Sequence, residues 1–125
     1  MSVNPNLAHR PAILSGRVLP TMSFMEKAWA VTARIPAGSV ATYSQIARVL
    51  GGRASRAVGM AMSRNPYAPR VPCHRVVGAD GRLTGYAGGL EKKRKLLRGE
   101  GVKLLDENRV DLSAHLFSFT QVVRV

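Results

Sequence analysis

The chain holds a single cysteine, Cys73, in the run Val71-Pro72-Cys73-His74-Arg75-Val76-Val77. A thiol becomes a strong nucleophile when an imidazole or a cation favours its deprotonation, and here His74 and Arg75 follow it directly in a segment that carries only positive charge. Successive side chains on a strand point to opposite faces, so His74 can meet the sulfur only through a turn or a bridging water; Pro72 permits irregular backbone there. A histidine base also needs a partner that fixes its tautomer, and Glu100, set between Gly99 and Gly101, is the acid able to approach closely. With one cysteine, and with His9, His74 and His115 lacking ligand spacing, no metal site is expected.

What such a thiol would act on is set by charge. The chain has 19 Lys and Arg against 7 Asp and Glu, a net charge of +12. From Lys27 to Ala79 there is no acid at all, while Lys27, Arg34, Arg48, Arg53, Arg56, Arg64, Arg70 and Arg75 all fall there. Arginine forks match phosphate bidentately, so a polyanion is the natural partner, with binding that weakens as salt rises. A solvated basic face kept for solubility is the competing reading, and the lack of balancing acids weighs against it. The 125 residues fit one domain. A lone cysteine suits a reducing compartment, and no stretch approaches the roughly 20 apolar residues of a membrane helix or the apolar core of a signal peptide, so a soluble cytoplasmic protein is expected.

The elements that must position these residues can be read in order. Residues 1–20 contain Pro5, Pro11, Gly16 and Pro20 without sustained period and read as an irregular or mobile N-terminal arm. Ser23 and Glu26 make an S-x-x-E capping box ahead of Phe24, Ala28, Val31 and Ile35, predicting a helix to about Arg34. Thr42 and Gln45 repeat the device as T-x-x-Q, opening a short helix over residues 43–50 that Gly51-Gly52 stops. Arg53 then opens a second short helix that halts at Asn65-Pro66.

Two short helices joined by a glycine turn make a helix-turn-helix candidate, in which the N-terminus of the second, with Arg53, Ser55 and Arg56, would approach DNA; an ordinary helical hairpin with surface arginines fits the same pattern. Val71 to Val77 reads as a β-branched strand, Gly78 to Gly81 as a turn, and Arg82-Leu83 as the start of a return strand. Gly85 to Gly89 lacks the lysine and helix register of a phosphate-cradling loop and reads as a flexible loop beside a pocket. A basic helix over residues 90–98 carries Lys92, Lys93, Arg94 and Lys95, and residues 102–105 and 109–112 flank a turn as a hairpin. The domain is thus bounded at residues 21–104, with 105–125 as an apolar tail packed on it.

Arg56-Ala57-Val58-Gly59, Asn65-Pro66, Pro72-Cys73-His74-Arg75-Val76-Val77, Gly85-Tyr86-Ala87-Gly88-Gly89-Leu90 and Glu100-Gly101 together resemble the active domain of O6-alkylguanine-DNA alkyltransferases. The resemblance runs from about Ser23 to Gly101. It implies a mainly α fold with a small β element, a winged helix-turn-helix-like DNA-binding domain. It also implies single-turnover repair: a damaged guanine is flipped out of duplex DNA and its O6-alkyl group moves irreversibly to Cys73, without a cofactor.

By the same resemblance Arg56 fills the vacated base stack, Tyr43 rotates the nucleotide and protonates the leaving base, and Asn65 steadies the turn after the helix. Arg53 and Ser55 join them at the DNA. His74 and Glu100 activate Cys73 through water. Met62, Val76, Tyr86 and Ala87 form the substrate pocket, with the carbonyls of Cys73 and Val76 reading the guanine amino group. Ala87 stands where many relatives have serine, which keeps a backbone donor and loses a hydroxyl. Most members of the family carry a further N-terminal domain, whereas about twenty residues precede the first capped helix here. Short alkyltransferase-like proteins share that feature and the aromatic tail; they bind alkylated guanine and recruit nucleotide excision repair without transfer, but replace the cysteine. Retention of Cys73 favours transfer. A monomer acting on alkylated duplex DNA, away from membranes, is expected. A plain helix-turn-helix regulator, by contrast, would dimerise on a two-part site.

Overall fold

The computed structural model describes residues 7–119. Its elements are mainly helical: α1 (Arg10–Ser15), α2 (Phe24–Thr32), α3 (Tyr43–Val49), α4 (Ser55–Ser63), α5 (Leu90–Gly99) and α6 (Leu112–His115), with short strands β1 (Ala41–Thr42), β2 (Val76–Val77), β3 (Leu104–Asp106) and β4 (Arg109–Val110). Both capping boxes form. Ser23 Oγ accepts from the Glu26 amide while Glu26 Oε1 accepts from the Ser23 amide, and Thr42 with Gln45 does the same at α3. Each box satisfies donors that a helix start leaves open, so α2 and α3 begin where the local sequence dictates.

Between α3 and α4 the chain turns at Gly51, whose φ of 89° lies in the left-handed region open to glycine. The amides of Gly51 and Gly52 donate back to the Arg48 and Ala47 carbonyls, which ends α3 and sends the chain into α4. The helix-turn-helix pair is therefore present. Its second helix starts at Ser55, leaving Arg53 just outside it. Trp29 Nε1 donates to the Ala61 carbonyl at 2.7 Å and ties α2 to α4 across the main core, which also takes in Ile13, Val31, Ile46, Val58 and Val71.

Two expectations are corrected. The N-terminal arm is not irregular where it is described: a 3-10 turn over Leu7–His9 leads into α1, which buries Ala12 and Ile13 against α2. The residues read as punctuation are its ends. Pro11 sits in the first turn, where no backbone donor is needed, and Gly16 caps the C-terminus at φ 81°. His9 fastens this helix, its Nδ1 lying 3.1 Å from Glu26 Oε1 and its Nε2 2.9 Å from Thr21 Oγ1.

Second, the strand expected over residues 71–77 shortens to Val76–Val77, because Cys73–Arg75 coil into a 3-10 turn after Pro72. Its partner is the parallel strand β1, paired Ala41 to Val76 and Thr42 to Val77, while Arg82 bridges Arg109 of the last hairpin. Burial on both faces favours this arrangement for a β-branched pair. Within the basic helix α5, Lys93 is fully buried, one turn from Leu97.

The hairpin β3–β4 forms as expected. The chain after the hairpin packs on the domain up to the last described residue. The Val40 amide donates to the His115 carbonyl, the Phe117 amide to the Val40 carbonyl, and His115 Nδ1 to the Gly38 carbonyl. Phe117 and Phe119 pack on the main core. The remainder of the expected tail, residues 120–125, lies outside the described residues. Among the described residues no helix is long and apolar enough to cross a membrane.

Candidate active site

Cys73 opens the 3-10 turn between α4 and β2 and is 7% exposed, at the wall of a cavity of about 560 Å³. Tyr43 from α3, Arg56, Gly59, Met62 and Ser63 from α4, and Thr84 to Ala87 from the glycine-rich loop line the rest. The turn sends the His74 side chain away from the cavity towards the end of α5. There Glu100 caps the helix and places Oε2 2.9 Å from His74 Nε2.

Arg75 completes this arrangement. Its Nε and Nη2 donate to the two oxygens of Glu100 at 2.9 and 2.7 Å, and its Nη1 donates to the Ile35 carbonyl. A carboxylate clamped by a guanidinium fork is a fixed acceptor, so Nε2 of His74 carries the proton and Nδ1 presents a lone pair. Nδ1 is buried with no hydrogen-bond partner among the described residues. It is the free base nitrogen of the site.

The electrostatics agree. Burial pushes the His74 imidazole below its usual range, opposed by the hydrogen bond and charge of Glu100, so the neutral ring needed for a base is favoured near neutral pH. Burial alone would raise Glu100, but the bonds from Arg75 and His74 outweigh it and hold the carboxyl below the usual carboxylate range. Burial pushes the Tyr43 phenol up, against the hydrogen bond it shares with Thr84, and burial likewise raises Tyr86. Both phenols therefore stay protonated. The Tyr86 ring packs edge-on to His74, with centroids 6.4 Å apart.

Most of the residues singled out from sequence meet here. Cys73, Tyr43, Arg56, Met62, Tyr86 and Ala87 line the cavity, and His74 and Glu100 lie behind it. Arg53 is exposed and Ser55 half-buried at the start of α4. One assignment shifts. Val76 is fully buried and does not line the cavity; its carbonyl accepts from Lys93 Nζ at 2.8 Å. Asn65 spends its side chain on the chain itself, Nδ2 donating to the Val71 carbonyl and Oδ1 accepting from the Tyr67 amide. It shapes the turn ahead of Cys73.

Sequence reasoning missed Arg75 as the clamp on Glu100, Thr84 as the partner of Tyr43, and Lys93. Lys93 shares the buried stripe of α5 with Leu97, and that spacing is the signal that distinguishes it from its exposed neighbours Lys92 and Lys95.

Comparison with known proteins follows the same geometry. Residues 23–102 match the family model described as 6-O-methylguanine DNA methyltransferase, DNA binding domain. The methylated-DNA–protein-cysteine methyltransferase of Methanosarcina acetivorans is 53% identical over 79 residues, covering 62% of this chain and 51% of that protein. The chain spans about half the length of the curated relatives it matches.

Among solved structures, S. pombe Atl1 in complex with damaged DNA containing O6-carboxymethylguanine is 30% identical with a TM-score of 0.68, over 76% of this chain and 94% of that one. Mycobacterium tuberculosis OGT in complex with DNA is 40% identical with a TM-score of 0.61, over 75% and 64%. The family match takes in every element from α2 to α5, and with them the thiol and the groups that serve it, so the chain belongs to the family of 6-O-methylguanine DNA methyltransferase DNA-binding domains.

Proposed function

We propose that the protein repairs O6-alkylguanine in duplex DNA by moving the alkyl group to Cys73, once per molecule and without a cofactor. The observation that carries this reading is a cysteine at the wall of a cavity large enough for a purine, backed by a neutral, carboxylate-oriented histidine. Arg56 of the basic helix-turn-helix lines the cavity, where it fills the gap left by the extruded nucleotide, and the exposed Arg53 just ahead of α4 meets phosphate.

His74 takes up the thiol proton through a bridging water. The sulfur attacks the saturated carbon on O6, forming a C–S bond as the C–O bond breaks, and Tyr43 protonates the leaving base. The proton held by His74 restores Tyr43 through solvent, so the sum is thiol plus alkylguanine to thioether plus guanine. A thioether has no easy hydrolytic exit, which makes the step terminal. The protein acts as a monomer on one lesion.

The likeness to Atl1 favours a second reading, in which the same cavity holds the lesion and excision-repair proteins are recruited without transfer. Intact mass spectrometry after mixing with a duplex bearing O6-methylguanine separates the two. Transfer predicts a stoichiometric gain of one methyl group that Cys73→Ala abolishes while duplex binding survives. An unchanged mass with tight lesion binding supports the second reading and overturns the first.

A further inference from the structure

We propose that Thr84 is a positioning residue for Tyr43: its hydroxyl donates to the phenolic oxygen, so that the single phenolic proton is free to point at the leaving purine. The inference rests on the transfer reading above and deepens it. Tyr43 and Thr84 lie 41 residues apart, on α3 and on the approach to the glycine-rich loop, and their hydroxyls form a close hydrogen bond at the cavity wall.

A phenol has one proton. If it were given to Thr84, none would remain for the base; if Thr84 donates, the phenolic proton turns into the cavity. The Thr84 hydroxyl has no other hydrogen-bond partner among the described residues, so on the protein its proton finds an acceptor only in Tyr43. Burial keeps the Tyr43 phenol protonated, as a proton donor requires.

Thr84 is itself held at its backbone. Its carbonyl accepts from the buried Lys93 Nζ at 3.2 Å, and Lys93 is anchored in turn on the Val76 carbonyl. Its methyl faces Gly78, where an added Cβ would lie 3.7 Å from Cγ2. A β-branched side chain on an anchored backbone has few rotamers open to it, so the hydroxyl direction is set before substrate arrives. Across the ring of Tyr43 lies Gly59, whose Cβ, were there one, would come no nearer than 4.0 Å. That side leaves the ring unclamped, and Thr84 supplies the restraint.

The test is a double-mutant cycle on the single-turnover rate of methyl transfer from an O6-methylguanine duplex. Thr84→Val, which keeps shape and loses the hydroxyl, is expected to slow transfer about fivefold to tenfold, while Thr84→Ser stays within about twofold of the parent. In a Tyr43→Phe background Thr84→Val should bring no further loss, because there is no phenol left to orient. A parental rate for Thr84→Val, or the same loss in both backgrounds, overturns the proposal in favour of simple wall packing. If Thr84→Val fails to fold, Thr84→Ala against Thr84→Ser gives the same contrast. A parent chain that gains no methyl group overturns the transfer reading itself, and that outcome is distinct from either of these.

Discussion

Beneath Cys73, the donors and acceptors of His74, Arg75 and Glu100 are tied to one another or to backbone except for the one imidazole nitrogen the chemistry needs. Along the same cavity Arg56 is exposed on the first turn of α4, and Arg53 is exposed just ahead of that helix; neither side chain has a hydrogen-bond or ion-pair partner among the described residues. The difference reflects where each partner comes from. Groups that stabilise a developing charge act best when their dipoles are fixed in advance, so the floor is completed by the protein. On the proposed function, groups that meet a phosphate chain or fill a base stack find their partners only in the DNA, so the rim is left unsatisfied in the free molecule.

The largest effect that would sharpen this contrast falls on the floor. Glu100→Gln is expected to slow transfer about a hundredfold, since it unsettles both the tautomer and the orientation of His74. It should also lower folding stability by about 1–3 kcal/mol through the unsatisfied Arg75 fork, read from urea denaturation. The pH dependence of that stability has a fixed sign. His74 titrates below its usual value in the folded chain, so its contribution is present above pH ~6.5 and is lost as pH falls through the lower folded value. Glu100, also lowered, contributes above pH ~4.5 and is lost further into acid. Stability rising on acidification from pH 7 to 5 would break the account of the floor.

Arg56→Ala probes the rim and should slow transfer in duplex DNA about tenfold while leaving reaction with free O6-methylguanine unchanged. Equal losses on both substrates would place Arg56 with the floor and erase the comparison. Arg53→Gln is the mildest change. It should weaken duplex binding severalfold, reduce the slope of log affinity against log salt by about one, and leave the rate on bound DNA untouched. A rate defect at saturating duplex would show that Arg53 does more than meet phosphate.

How much of this could be read without coordinates depended on range. Ser23 with Glu26 and Thr42 with Gln45 announce helix starts because both partners sit within one turn, and both boxes form. Glu100 was reachable because two glycines leave room around a rare acid. The first helix was missed because Pro11 and Gly16 carry the same letters whether they break a helix or bound one, and only the burial of Ala12 and Ile13 on α2 decides between these. The partner of Val76–Val77 was missed because parallel pairing with Ala41–Thr42 joins strands 35 residues apart and leaves no turn signal between them.

By itself the sequence determined the local and the chemical: two capped helices about a glycine turn, a stretch without acids, one thiol next to one imidazole, and the ordered motifs that mark the family. The tertiary structure decided which of these meet. That His74 turns towards Glu100, that Arg75 clamps a carboxylate, that Lys93 is buried, and that Thr84 reaches Tyr43 all depend on contacts between distant segments. Such contacts are fixed by packing of the whole chain, and local propensity carries no information about them.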